Sequence, residues 1–178
     1  MHMRRLVPPL VIALLAGMAL VLVLRGRGGV GGRAGAVVVR VVDGDTLKVA
    51  VGGRERSVRL LGIDTPETHR PGTPVECGGP QASAHMEQLV RPGERVTLEP
   101  DPTQDGVDRY GRLLAYVRLP DGQLAEDEQL RSGWAMSYVY GGRPVARFGE
   151  FRRAESQARA GRRGVWGACG GRFHSARR

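Results

Sequence analysis

From residue 6 to residue 24 no charged side chain interrupts an apolar run, which matches the roughly 20 residues that a helix needs to cross a bilayer. Beyond residue 36 the apolar positions fall into shorter rhythms. Residues 37–42 are five valines and Arg40, a β-branched run that ends at the turn-forming Asp43-Gly44-Asp45. Residues 46–51 read as a second strand, stopped by Gly52-Gly53. Residues 57–63 read as a third, with Val58, Leu60 and Leu61 set against Arg59. The first three strands form a meander. Pro66, Pro71, Pro74 and Pro80 make 66–80 a loop. Residues 81–90 then place Ala82, Ala84, Met86, Leu89 and Val90 at helical spacing, and Pro92-Gly93 stops that helix. Strands are expected at 95–99 and 110–119, and helices at 124–132 and 145–160.

This order predicts an α+β domain that is mainly β. Five short strands, with a helix inserted after the third and two more at the end, would close into a small antiparallel barrel. The oligonucleotide-binding (OB) barrel suits that order best. The chain then divides into a signal-anchor or signal peptide (1–25), a Gly/Arg-rich linker (26–36), the barrel domain (37–168) and a basic tail (169–178). The anchor is preferred, because the apolar run exceeds the roughly 7–15 residues of a signal peptide. Ala34-Gly35-Ala36 has the small-x-small pattern of a cleavage site but lies ten residues past the run. Either form puts the domain outside the cytoplasm, secreted or held at the membrane through residues 6–24. Arginines flank the run on both sides (Arg4 and Arg5, then Arg25, Arg27 and Arg33), so charge does not fix its orientation.

The formal net charge is +9. It is uneven: residues 141–178 carry ten basic side chains against two acidic ones. That asymmetry suits a polyanion, and equally a solvated helix face followed by a frayed tail. Lys48 is the lone lysine, so positions of arginines say more than their number. Cys77 and Cys169 are the only cysteines, and neither has the CxxC spacing of a metal site. In an exported chain such a pair is most simply a disulfide; in a cytoplasmic one it would be two separate buried thiols.

Three clusters carry the chemistry: Asp43-Gly44-Asp45-Thr46, Arg59 to Glu67 (Arg-Leu-Leu-Gly-Ile-Asp-Thr-Pro-Glu), and Asp108-Arg109-Tyr110-Gly111-Arg112. Each has a plain structural use at a turn or strand end. Together they supply what a phosphodiesterase needs. Asp45 and Asp64, at the ends of neighbouring strands, offer oxygen ligands to a hard cation. Arg59 and Arg112 offer planar forks for a phosphate, and Glu67 an acidic base. Cation and arginines would stabilise charge in the transition state while the base readies water.

Over about residues 37–166 the chain resembles the staphylococcal nuclease (thermonuclease) family. The likeness rests on the first two clusters, the second extended to Thr68, on Gly-Pro-Gln-Ala-Ser-Ala (79–84), Asp-Arg-Tyr-Gly-Arg-Leu-Leu-Ala-Tyr-Val (108–117) and Ser-Tyr-Val-Tyr (137–140), all in order. It implies an OB barrel with three helices and Ca²⁺-dependent hydrolysis of DNA and RNA to 3′-phosphate ends. Carried over motif by motif, Asp45 and Asp64 would ligate Ca²⁺ by carboxylate and Thr65 by its carbonyl, with Asp43 in the outer shell. Arg59 and Arg112 would hold the scissile phosphate, and Glu67 would be general base or water positioner. Tyr110 and Tyr138 would line the nucleotide pocket; Tyr140 is a weaker candidate, for which core packing is the preferred reading. Cysteine-bearing relatives often pair this loop with a cysteine after the final tryptophan, which corresponds to Cys77 and Cys169. A monomer is expected, with no protein partner implied.

The chain departs from the family pattern in two places. Glu126 stands where an asparagine is usual and Gln129 where an apolar residue is usual, which questions local packing. Cys77 and Gly78 replace a lysine and a tyrosine in the loop after the third strand. The alternative to an enzyme is a nucleic-acid-binding barrel that has lost catalysis. Such barrels lack several charged site residues, whereas Arg59, Glu67, Arg112, Asp45 and Asp64 are all present here.

Overall fold

A computed structural model describes residues 32–68, 72 and 74–174. The apolar run at 6–24 and most of the linker lie outside the described residues. Among the described residues no helix is long and apolar enough to cross a membrane.

The strands are β1 (Ala34–Asp43), β2 (Thr46–Val51), β3 (Arg54–Leu60), β4 (Ile63–Asp64), β5 (Arg95–Glu99), β6 (Leu113–Arg118) and β7 (Met136–Ser137). The helices are α1 (Gly79–Leu89), α2 (Ala125–Ser132), α3 (Phe148–Ala160) and a short α4 (Val165–Ala168). Five strands close a barrel in the order β1-β2-β3-β6-β5. The expected meander holds, with Asp43 opposite Thr46 across the first hairpin and Thr46 opposite Arg59 across the second. The expectation of an all-antiparallel barrel does not hold: β3 and β6 run parallel, Val58 opposite Leu113 and Leu60 opposite Ala115. The reason is parity. Strand direction cannot alternate all the way round a ring of five, so at least one neighbouring pair must be parallel. Here the intervening α1 and β5 supply the long crossover that a parallel pair requires.

The strand alternation fills the barrel. Val38, Leu47, Val49, Val58, Leu60, Leu98 and Val117 are buried, with Met86 of α1 and Leu130 of α2 packed among the same cluster. β1 begins at Ala34, within the expected linker, because Ala34, Gly35 and Ala36 pair with Leu98, Thr97 and Val96 of β5. Register shifts within β1 between Val38 and Arg40, and between Val41 and Asp43, accompany its passage from β5 to β2.

The third strand ends earlier than its hydrophobic pattern implies. Gly62 takes a left-handed φ of 74°, and a Cβ there would lie 2.7 Å from Val145 and 2.8 Å from Phe151. Only glycine fits that bend. Past it, Ile63 and Asp64 form β4 and pair with β7, Asp64 opposite Met136. The bend thus separates Asp64 from β3 and seats it on a two-stranded ledge.

Cys77 and Cys169 are disulfide-bonded, with Cα atoms 5.9 Å apart. The tail is not frayed up to residue 174. Gly170 and Gly171 both adopt positive φ, and Phe173 stacks on Trp166 with ring centroids 5.0 Å apart, so the chain doubles back after α4.

Candidate active site

The site begins at the turn between β1 and β2. Asp45 N–H donates to Asp43 Oδ1 at 3.0 Å, which closes the turn locally. Gly44 at its centre is packed tightly: a Cβ would stand 2.9 Å from Ala82 Cβ and from the Thr65 side chain. The turn is also tied to the helices. Gln129, fully buried on α2, donates through Nε2 to Gly44 O at 2.6 Å and to Ala82 O at 3.0 Å, and its Oε1 lies 2.7 Å from His85 Nδ1. The polar residue at a family-apolar position is therefore satisfied, and it joins α1, α2 and the Asp43–Asp45 turn. Glu126, the other departure, is buried and accepts from Val117 N–H at 3.1 Å. Its burial pushes the carboxyl up to about 8.

Asp45 is held on every side. Its Oδ2 accepts from Thr65 N–H and Thr65 Oγ1, both at 3.0 Å, and its Oδ1 from Thr46 Oγ1 at 3.0 Å. Arg59 Nη2 sits 3.1 Å from Asp45 Oδ2 and 3.0 Å from Asp64 Oδ1. Its Nη1 donates to Leu60 O at 2.8 Å. Burial works against the Arg59 charge, but Asp45, Asp64 and Asp43 outweigh it and hold the guanidinium pKa above its ordinary value. Asp43 has the opposite problem: burial, and then the Asp45 charge, push its carboxyl up to about 7.

The two aspartates thus converge on a single positive charge. Among the described residues no group of three or more His, Cys, Asp or Glu side chains has metal-holding geometry. Asp45 and Asp64 contribute only oxygen, and hard cations accept such carboxylates together with carbonyls and water. The donor chemistry suits a hard cation, and Asp45, Asp64 and the Thr65 carbonyl are the residues that could hold one.

Further lining residues come from the loop before β6. Asp108 Oδ1 accepts from Tyr110 N–H and Arg112 N–H at 2.9 Å each, and Oδ2 accepts from Arg112 Nε at 2.7 Å. Burial would raise the Asp108 carboxyl, but these bonds, with the Arg112 charge, hold it below its usual range. Asp108 thereby fixes the root of the Arg112 fork. Tyr110 is 68% exposed, with the guanidiniums of Arg109 and Arg112 at 4.8 and 5.6 Å from its ring centre. Tyr138 lines the same cleft, tied by its N–H to Gly62 O at 2.8 Å. Tyr140 is a correction: it is 59% exposed at the cleft and not packed in the core.

The cleft that these residues line encloses about 430 Å³. It brings together Asp43, Asp45, Arg59, Asp64, Thr65, Glu67, Tyr110, Arg112 and Tyr138, every candidate from the sequence apart from the two cysteines. Glu67 is held by a reciprocal pair of bonds with a buried acid: Glu76 N–H donates to Glu67 O at 2.9 Å, and Glu67 N–H to Glu76 Oε2 at 2.8 Å. Two residues here carried no sequence signal of their own. Glu76 reads as loop, and His174 as part of a basic tail. In the structure His174 Nε2 lies 2.9 Å from Asp64 Oδ2 and Nδ1 lies 2.9 Å from Glu76 Oε2. The one available clue was the cysteine pair, which flanks both.

Comparison with known proteins identifies the family. The family described as "Staphylococcal nuclease homologue" matches residues 57–168. Endonuclease YncB of Bacillus subtilis (strain 168) is 39% identical over 133 residues, covering 74% of this chain and 61% of that protein. The SPbeta prophage-derived endonuclease YokF of the same organism is 40% identical over 133 residues, covering 74% of this chain and 43% of its own length. The thermonuclease of Staphylococcus hyicus is 36% identical over 130 residues, covering 72% of this chain and 73% of that protein. The match thus spans about three fifths and two fifths of the two Bacillus relatives.

Proposed function

The chain belongs to the staphylococcal nuclease homologues, and on that ground we propose that it is a Ca²⁺-dependent endonuclease that cuts DNA and RNA to leave 3′-phosphate ends. We place its work outside the cytoplasm, held at the membrane by residues 6–24. The observation that carries the catalytic reading is the paired arrangement within one cleft. Asp45 and Asp64 converge on Arg59 at 3.0–3.1 Å, and Arg112 and Tyr110 line the same cleft.

The residues divide the work. The Tyr110 ring, exposed and flanked by two guanidiniums, offers a face for a base or sugar. Arg59 and Arg112 hold the phosphate and neutralise its non-bridging oxygens, whose charge grows as water adds to phosphorus. Glu67 takes a proton from that water or orients it. The phosphorus–O5′ bond then breaks, the 5′-oxygen leaves and acquires a proton, and the phosphate stays on the 3′ side. When bound, Ca²⁺ would supply Lewis-acid charge to the same phosphate. Arg59 also balances the charge of the two aspartates.

The test is cleavage of a short oligonucleotide by the purified full-length chain, with Ca²⁺ and with excess chelator. Ca²⁺-dependent fragments ending in 3′-phosphate are expected. Binding of DNA with no cleavage at any Ca²⁺ concentration would replace the enzyme with a binding barrel.

A further inference from the structure

We propose that the C-terminal strap is part of the active site, with His174 a positioning residue that aims Asp64 and, through Glu76, the backbone of Glu67. The inference rests on the nuclease reading of the cleft. Three observations carry it. First, the strap is built to return. Gly170 and Gly171 turn the chain in the left-handed region, Gly171 N–H donates to Val165 O at 2.9 Å, and Phe173 lies on Trp166. The Cys77–Cys169 bond fixes the strap's root beside Glu76. Second, the imidazole it delivers is enclosed, its side chain only 10% exposed; Nδ1 is hydrogen-bonded to Glu76 Oε2 at 2.9 Å, and Nε2 lies 2.9 Å from Asp64 Oδ2, within ion-pair distance. Third, one of those carboxylates is already committed to the site. Glu76, with its side chain 1% exposed, takes both His174 Nδ1 and Glu67 N–H on the same oxygen, Oε2.

A continuous line therefore runs from Asp64 through His174 and Glu76 to Glu67. Asp64 is restrained at Oδ1 by Arg59 and at Oδ2 by His174, so losing the imidazole removes one of the contacts that set the carboxylate plane. Groups that orient a ligand carboxylate without touching the metal typically matter by about 10- to 100-fold in metal affinity or activity. The disulfide enters as the tether that keeps the imidazole in reach.

The experiment uses the full-length chain as parent, His174→Ala and His174→Gln, each with and without reductant. Cys77 and Cys169 are its only cysteines, so reductant has no other disulfide within the chain to act on. Ca²⁺ binding is read by calorimetry, cleavage by single turnover at saturating Ca²⁺, and folding by thermal midpoint. His174→Ala is expected to weaken Ca²⁺ binding or slow cleavage by about 10-fold or more, with the midpoint nearly unchanged. The amide of His174→Gln should restore part of that loss. Reductant should reproduce the defect in the parent and add little to it in His174→Ala. The proposal is overturned if His174→Ala stays within about twofold of the parent in both Ca²⁺ affinity and single-turnover rate. It is equally overturned if the loss merely follows a fallen midpoint and reductant slows both proteins alike. A parent that binds Ca²⁺ without cutting would sink the nuclease reading instead, while the calorimetric comparison still decides the role of His174.

Discussion

Arg112 is held by its root and acts through its fork. Asp108 takes the Arg112 Nε and backbone N–H, which orients the guanidinium plane before any substrate arrives. Losing one such pre-aimed donor typically costs on the order of 10²–10³ in turnover. Arg112→Ala should fall in that range, and Arg112→Lys should remain severely impaired, because an ammonium keeps the charge without the planar pair of donors. Asp45→Ala should behave differently in the same single-turnover assay, since part of its loss returns as Ca²⁺ is raised. Glu126 supports a prediction about pH. Its folded carboxyl lies at about 8 against an ordinary 4.5, so between those values the folded chain keeps a proton that the unfolded chain releases. Stability from this residue is therefore highest below pH 4.5 and declines as pH rises toward 8. Glu126→Gln, which keeps an acceptor for Val117 N–H, should flatten the fall in thermal midpoint between pH 5 and 8, by an amount worth on the order of a few kcal/mol. An unchanged slope would refute it. The charged site residues were legible because their chemistry fixes their type and their order along the chain. Tyr140 was not, because a tyrosine near a strand end reads the same whether its ring turns inward or out.

The elements place these side chains through a few contacts that hydrophobic periodicity does not encode. β2, β5 and the core of β1 follow from β-branched alternation, and α1 from apolar spacing. The early end of β3 does not, since Leu60, Leu61 and Ile63 continue the strand pattern through Gly62. The signal there is steric: Gly62 bends because Val145 and Phe151, more than 80 positions on, leave no room for a Cβ. Likewise the parallel β3–β6 pair follows from ring parity and not from either strand's own sequence. Gln129 is the case with the most direct consequence. It looked like a flaw in α2, yet it closes the Gly44 and Ala82 carbonyls against the helix pair. Gln129→Leu would leave the Gly44 carbonyl without that donor, at about 1–3 kcal/mol, while the Ala82 carbonyl keeps its place in the α1 ladder. The expected outcome is a lower denaturation midpoint together with weaker Ca²⁺ dependence of cleavage, because the Asp43–Asp45 turn loses its anchor. A variant with the parent's midpoint and Ca²⁺ response would show that the turn is held by packing around Gly44 alone.

At the scale of the whole chain, two long-range ties decide how the domain is finished. The Cys77–Cys169 bond closes a separation of 92 residues and, by chain-entropy reasoning, stabilises the fold by about 4 kcal/mol. Denaturation of the oxidised and reduced protein should differ by up to that amount, and coincident curves would show that the tail docks without it. The second tie concerns the front of the domain. The sequence left open whether the apolar run at 6–24 is cut off or kept, and Ala34-Gly35-Ala36 has the small-x-small pattern of a cleavage site. The barrel now weighs on that choice. Ala34, Gly35 and Ala36 supply three of the four residue pairs that join β1 to β5, and Ala36 is buried in the core. Cleavage after Ala36 would remove most of that seam and open the barrel where β5 meets β1, exposing strand edges that the closed ring otherwise satisfies. A chain kept whole retains the seam and, on the proposed reading, its membrane tether. Fractionation of cells that make the protein, followed by N-terminal sequencing, is expected to place it in the membrane fraction with residues 6–24 intact. A soluble, active species beginning at Val37 would show both that the run is a removable signal and that the barrel closes without its first three pairs.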